Sequence, residues 1–263
     1  MFKKILYYSV YYMLFVIGQV SYIQSASALE FTVSPFALYE QGQENIYIDG
    51  VRTKYGLGVL GVEIDAILGS GFSFWARTGY GYHPKANVSL TVEGREVAVT
   101  GPVSGVYLGG AINYLVWAQH GYSVSSELSF VARNVDAPDL VGTAGSRAIT
   151  GTAVNDFDTI DLVLSSEIPI NEKFIINLNG GLSQWNLKTT AVAYAQTGSS
   201  GSFSCPCSFT KRIDSTSIDP IFAISINNRN TLHNLDLELY SRSLRSKAGT
   251  GIIGMELEYK FTF

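Results

Sequence analysis

The two cysteines of the chain, Cys205 and Cys207, are separated by a single proline in a stretch rich in Gly and Ser. An oxidising compartment would favour a disulfide between them. A bridge over one intervening residue closes so small a ring that it restricts the unfolded chain little and strains the bond. The pattern predicts a local disulfide. The alternatives are free or intermolecular thiols and a metal site, for which no His or further Cys ligands stand nearby.

Three histidines, His83, His120 and His233, are the other candidates for chemistry, since imidazole is a common general acid or base near neutral pH. His120 and His233 fall beside short turns. Only His83 falls near the same predicted end of the molecule as two acids, Asp156 and Asp158. Serines are too frequent for a Ser–His pair to be specific. We therefore predict no enzyme, cofactor or metal, and keep a hydrolase built on His83 as the less favoured alternative.

Composition excludes several classes of protein. Only 15% of the 263 residues are charged, against roughly 25% in an average soluble domain. The 18 Lys and Arg are outnumbered by 22 Asp and Glu, giving a net charge of -4, so a nucleic-acid partner is excluded. The 26 glycines and 16 tyrosines favour β structure with many turns.

Residues 1–28 have the form of an export signal. A pair of lysines precedes an apolar stretch over 5–20, and 26–28 read Ala-Ser-Ala, the small-x-small pattern of a signal-peptidase site. The stretch is short for a spanning helix of about 20 residues. We expect cleavage after residue 28, which leaves 29–263 as one exported domain; an uncleaved anchor is the alternative.

Alternation is the main pattern of the exported domain. No apolar run there reaches 18 residues, so a membrane would be crossed by strands. Over 72–82, 122–133 and 159–168, apolar or aromatic residues alternate with polar or small ones. A period of two predicts strands with one apolar face, which a soluble β-sandwich can also show.

The connections favour a membrane barrel over a sandwich. Short turns over 69–71, 118–121, 169–172 and 227–230 alternate with long segments over 40–51, 83–103, 134–155 and 188–214. Short periplasmic turns and long external loops are typical of outer-membrane barrels. We predict an all-β fold, a transmembrane antiparallel up-and-down β-barrel of about ten strands, with eight or twelve as alternatives. The predicted strands cover 30–39, 54–68, 71–83, 104–118, 121–133, 156–169, 173–187, 215–227, 231–242 and 249–263.

The last predicted strand places Tyr259, Phe261 and Phe263 on one face. With this pattern and the export signal, the chain resembles the bacterial outer-membrane β-barrel proteins; 177–186 and 235–242 look like late strands of the small OmpA/OmpX-type barrels. The resemblance implies location in the outer membrane and contact with its lipid and lipopolysaccharide. It also implies that the terminal aromatic residues form part of the signal read by the barrel-assembly machinery.

The polar faces would line the lumen with ten acids and four bases. A ring of about ten strands leaves only a narrow core, so we predict a plugged lumen in which these charges pair with one another. A narrow cation-preferring channel is the alternative, because rings of acids favour cations. The predicted lumen residues are Glu63, Asp65, Glu127, Asp161, Glu167, Asp219, Asp236, Glu238, Glu256 and Glu258, with Arg77, Arg133, Arg242 and Lys260.

One lumen pair follows from the turn at 69–71. Matching faces across this turn pairs Leu68 with Phe72 and Ile67 with Ser73. The same register sets Glu63 opposite Arg77, and such a cross-strand pair stabilises a sheet by roughly 0.2 to 1 kcal/mol.

The external segments are the expected functional surface, because loops on a rigid scaffold commonly carry binding. Over 88–100, alternating residues flank a Glu-Gly-Arg turn and predict a hairpin that extends two strands or forms a contacting arm. The Gly-, Ser- and Thr-rich segments 136–155 and 189–215 are expected to be mobile. The sequence thus predicts a non-enzymatic surface barrel, structural or adhesive, whose external ligand it does not identify.

Overall fold

The computed structural model describes residues 30–42, 46–48, 51–54, 56–92, 95–144, 147–195, 208–228, 233–244 and 250–262, with their intervening turns at 70–71, 120–121 and 170–173. Within these residues, no helix has the length and apolar character needed to cross a bilayer. The strands are β1 (Glu30–Gly42), β2 (Ile46–Ile48), β3 (Val51–Lys54), β4 (Gly56–Gly69), β5 (Phe72–Val92), β6 (Arg95–Gln119), β7 (Tyr122–Ala144), β8 (Arg147–Pro169), β9 (Phe174–Ala195), β10 (Ser208–Asn228), β11 (His233–Leu244) and β12 (Thr250–Thr262).

Ten of these strands form one closed antiparallel barrel. Each strand from β4 to β12 pairs with the next along the chain, and β1 pairs with both β4 and β12. The short β2 and β3 form a pair beside the outer part of β5. The predicted up-and-down barrel of ten strands is therefore confirmed.

Two tight turns join strands at the end of the barrel that carries the short connections. Ser70 and Gly71 have φ of 54° and 81°, and His120 and Gly121 have 54° and 85°. Positive φ at both central residues is the type I′ geometry, whose twist matches that of the flanking strands. At the first turn Gly69 pairs with Phe72 after a register shift, so the predicted pairing of Leu68 with Phe72 is wrong.

The strands are much longer on one side of the barrel than on the other. β5 to β10 run for 21 to 25 residues each, whereas β1, β4, β11 and β12 run for 12 to 14. Paired strand makes up most of 83–103 and 134–155 and the described parts of 188–214. Over 88–100 this is the predicted hairpin that extends two strands, with Val88 paired to Val99, whereas the loop predictions over 134–155 and 188–214 are wrong for the described residues. The ladder of β7 and β8 continues to the pairing of Ala144 with Arg147.

An apolar belt surrounds the half of the barrel that carries the tight turns. Its side chains point outward and are largely exposed on every strand of the ring, which a water-soluble surface of this extent would not tolerate. Lipid is the environment that favours such a belt. Members from the different strands include Val33, Leu60, Phe72, Ile112, Leu128, Leu162, Leu182, Phe222, Leu237 and Met255.

Beyond this belt, towards the external end of the barrel, the inward face of the strands becomes apolar and the outward face becomes mostly polar. On β7, Val135, Ala137 and Leu140 point inward and are buried, while Asp136 points outward and is exposed. On β10, Ile213 is buried between the exposed Arg212 and Asp214. The outer parts of β5 to β10, here called the external wall, therefore have an apolar inside and a mostly polar outside, on which Val141, Val154 and Tyr194 are exposed exceptions.

Candidate functional site

A buried ion pair crosses the lumen where the two halves of the barrel meet. The Arg133 guanidinium on β7 donates from Nε to Glu40 Oε2 at 2.9 Å and from Nη2 to Glu40 Oε1 at 2.5 Å. The two residues are 4% and 1% exposed. Since β1 and β7 lie on opposite sides of the ring, this bidentate pair spans the lumen.

Aromatic rings complete this layer, here called the partition. The Tyr240 hydroxyl on β11 donates to Glu40. The Arg133 guanidinium lies 5.3 Å from the Tyr107 ring centre and 5.2 Å from the Phe157 ring centre, within the range of cation–π contacts. The charge of Arg133 is thus balanced by a carboxylate and covered by two aromatic faces.

A second arginine organises the lumen closer to the tight turns. Glu63 and Arg77 stand opposite one another in the register of β4 and β5, and Arg77 Nε lies 2.8 Å from Glu63 Oε2. Arg77 Nη1 also lies 2.8 Å from Glu256 Oε2 on β12. The ring of Trp75 lies against the same guanidinium, at 4.2 Å. Arg77 therefore joins three strands from inside the barrel.

Three of the predicted lumen acids, Glu127, Asp161 and Glu238, point into the barrel, and each accepts a hydrogen bond. Glu127 accepts from Trp75 Nε1 at 3.1 Å, and Glu238 accepts from Asn179 Nδ2 at 3.1 Å. Asp161 accepts from Arg242 Nη2 at 2.6 Å. These acids line one polar cavity of about 160 Å³ below the partition. Below the partition the lumen is thus a network of bonded charges around a small polar space.

Three carboxylates gather nearer the tight turns. Oxygens of Glu63, Asp65 and Glu258 lie within 4.8 Å of one another, a spacing that a metal ion can bridge. The Lys260 ammonium lies 3.3 Å from Glu258 Oε2 and 3.8 Å from Asp65 Oδ2. Lys260 therefore supplies positive charge to this cluster, and the cluster is explained without a metal.

Above the partition, the external wall encloses an apolar chamber of about 150 Å³. Arg133 contributes to both this chamber and the polar cavity, so the partition is the floor of one and the roof of the other. The side chains of the chamber are mostly small or branched and apolar. They include Leu57, Ala86, Val99, Val135, Ala137, Ala153, Phe157, Leu187, Ala191, Ile213 and Leu244.

The structure does not assemble the acid and histidine group considered from the sequence. His83 lies on β5, where its Nδ1 accepts from the backbone N–H of Lys85 at 3.2 Å. Asp156 and Asp158 lie on β8, with β6 and β7 between. Asp156 accepts a hydrogen bond from Asn134. His120 occupies a tight turn.

Some predicted residues lie at or beyond the edges of the described chain. Tyr259 and Phe261 lie on β12, with ring centres 4.7 Å apart. Phe263, the pair Cys205 and Cys207, and the export signal over 1–28 lie outside the described residues.

Sequence reasoning missed the acid that completes the partition. The first predicted strand stopped at residue 39, whereas β1 continues to Gly42 and places Glu40 in the lumen. The signal was present, because Phe36, Leu38 and Glu40 share one face at a period of two. Tyr240, which donates to Glu40, carries no charge, so the charge pattern of the lumen face did not indicate it.

A closed ring of strands with a lipid-facing belt and a bonded polar interior defines the class. Closure leaves no unpaired edge within the belt, which is the condition for strands to cross a bilayer. The chain is therefore a transmembrane β-barrel of the bacterial outer membrane.

The sequence matches no protein-family model and no curated protein. Among solved structures, the outer membrane protease OmpT of Escherichia coli is 11% identical with a TM-score of 0.46, over 89% of this chain and 96% of that chain. The translocator domain of the autotransporter NalP from Neisseria meningitidis is 12% identical with a TM-score of 0.45, over 97% of each chain. Ail of Yersinia pestis, the attachment invasion locus protein, is 8% identical with a TM-score of 0.37, over 90% of this chain and 100% of that chain. Such distant similarity transfers no function, and the class rests on this chain's own geometry.

Proposed function

We propose that this protein is a non-enzymatic surface barrel, structural or adhesive, whose lumen is closed to solutes. The observation that carries the proposal is the Glu40–Arg133 pair, because it joins β1 and β7 across the ring and its two residues are only 1% and 4% exposed. A pore at this level would require both charges to separate in a low-dielectric interior, which is costly.

Other cross-lumen bonds support closure. Arg242 on β11 reaches Asp161 on β8, and Arg77 on β5 reaches Glu256 on β12. In both cases two strands lie between the partners in the ring. The bonds thus act as struts across the interior rather than as ladders along the wall.

The external wall supports a surface role. Its outward side chains are mostly polar and exposed over several adjacent strands, which gives a broad face above the membrane. A partner would meet this face first, because the longest strands carry it. Members with exposed side chains include Asp136, Thr143, Thr152, Lys188, Thr190, Thr210, Arg212 and Asp214.

The test is conductance of the folded barrel in planar bilayers, with folding checked by heat-modifiable migration. The wild-type barrel is expected to be silent. The double variant Glu40→Ala, Arg133→Ala is expected to show openings, because it removes the bridge across the lumen. Arg212→Ala is the matched control, since it removes an arginine from the outer face. Steady openings of the wild type would overturn closure.

A narrow cation path is the second candidate, favoured by the acid-lined polar cavity below the partition. In that case wild-type openings would be cation-selective, because acidic linings favour cations. Glu127→Gln with Glu238→Gln would lower that selectivity. Unchanged cation selectivity in this double variant would show that the two acids do not determine it and would contradict the cation path.

Export and assembly complete the proposal. We expect removal of 1–28, which the N-terminal sequence of the purified protein would check. We also expect the face of Tyr259, Phe261 and Phe263 to be recognised by the barrel-assembly machinery. Substituting Phe261 and Phe263 by Ser should lower the amount of assembled barrel, while the outward external Thr190→Ser should not. Lipopolysaccharide and membrane lipid are the expected surroundings of the belt.

A further inference from the structure

We propose that the apolar chamber is a binding site for a small, uncharged, hydrophobic molecule about the size of benzene. This inference goes beyond the closed surface barrel proposed above, because a sealed lumen needs no chamber on its external side. Three observations carry it: the size of the chamber, the state of its polar groups and the kind of side chain that keeps it open.

The size suits a single aromatic ring. An apolar cavity of about 150 Å³ stays dry and admits molecules such as benzene. The chamber of this barrel has about that volume and an apolar lining. A sugar, a peptide or an extended lipid headgroup would exceed it.

Four of the polar residues that line the chamber are already bonded, either to one another or to residues outside the lining. Thr189 Oγ1 donates to Asn155 Oδ1 at 2.8 Å, and Asn155 Nδ2 donates to the Val135 carbonyl at 3.4 Å. Trp185 Nε1 donates to Asp219 at 2.7 Å. Arg133 at the floor is paired with Glu40. A charged ligand would lose its water without gaining a partner, so an uncharged ligand is selected.

Small residues preserve the space. Ala86, Ala137 and Ala153 contribute to the lining, each from a strand that carries larger residues at other inward positions. One larger side chain at any of these three alanines would occupy much of the volume. An unfilled cavity costs stability, in proportion to its volume, and a bound apolar ligand would recover that contact.

The test uses the full barrel in lipid nanodiscs and fluorobenzene as the probe, followed by ¹⁹F NMR against empty nanodiscs. Saturable binding is expected, and benzoate should not compete. Ala153→Phe should weaken binding about tenfold or more, because it fills the chamber. Val154→Phe is the matched control: its side chain is the next along β8 and points outward, so binding should persist.

Ala137→Leu gives a second test should Ala153→Phe not fold, as it fills the space with a smaller side chain. Absence of saturable binding to the folded wild-type barrel would overturn the proposal. Equal binding by wild type, Ala153→Phe and Ala137→Leu would also overturn it, because it would place the probe in the lipid.

Discussion

The membrane half and the external half of this barrel are built from the same strands but have opposite faces. On β7, Leu128 and Phe130 are exposed on the outside while Ser129 is buried within. A few residues further along, Asp136 is exposed on the outside while Val135 and Ala137 are buried within. The ladder to β8 continues through this exchange.

The difference shows that the surroundings, and not the barrel geometry, decide which face is apolar. Lipid surrounds the membrane half, so its polar side chains turn inward and must pair there. Water surrounds the external half, so its apolar side chains turn inward and pack there. The partition lies where these two solutions meet, and Arg133 contacts both.

Loss of one partition partner should have the largest effect. Glu40→Ala leaves Arg133 buried without its carboxylate and should lower the free energy of unfolding by about 3 to 5 kcal/mol. Urea unfolding in lipid vesicles, followed by tryptophan fluorescence, measures this change. Replacing both partners by apolar residues, Glu40→Leu with Arg133→Met, should recover most of the loss. A single and a double variant of equal stability would show that the pair is not buried as described.

An arginine placed on the outer face should destabilise the membrane half but not the external half, and the loss should be smaller than that expected for Glu40→Ala. Leu162→Arg, in the middle of the belt, should cost about 2 to 4 kcal/mol because it places a charge in lipid. Thr190→Arg, on the exposed outer face of the external wall, should change stability by about 0.5 kcal/mol or less. The same unfolding assay compares them, and equal costs would contradict the position of the belt.

The smallest effect is expected for an external charge. Lys188 on β9 stands opposite Asp156 on β8 and Asp214 on β10. Because it is exposed to water, Lys188→Ala should cost about 1 kcal/mol or less, and salt should reduce that cost. A loss as large as that of Glu40→Ala would mean that the outer face is not hydrated.

Much of the membrane half follows from the sequence. Alternation over 122–133 and 159–168 predicts the belt, and counting back from the first tight turn sets Glu63 opposite Arg77. The register beyond the turn is as predicted because the two-residue turn and the extra residue at Leu68 together span as many residues as the predicted three-residue turn. The segment 134–155 was predicted poorly because its Gly-, Ser- and Thr-rich composition is typical of a loop and a register shift between Ala137 and Leu140 interrupts its alternation.

The cross-lumen contacts could not be read from the sequence in the same way. Local pairing relates β4 to β5, but nothing local relates Glu40 to Arg133, which are 93 residues apart and on opposite sides of the ring. The chamber depends in turn on the distance between facing walls. Predicting where the chamber lies requires knowledge of the closed ring. Predicting which residues line it also requires knowing that the inward face becomes apolar in the external half.

The exchange of faces also constrains how these strands can change during evolution. A deletion or insertion of one residue rotates every later side chain to the other face of a strand. In β7 to β10 such a change would put charges into lipid in one half or apolar side chains into water in the other. Two residues, or whole hairpins, can be gained or lost without this reversal. Changes in the height of the external wall are therefore expected in even steps, or together with a bulge such as the one between Ala137 and Leu140.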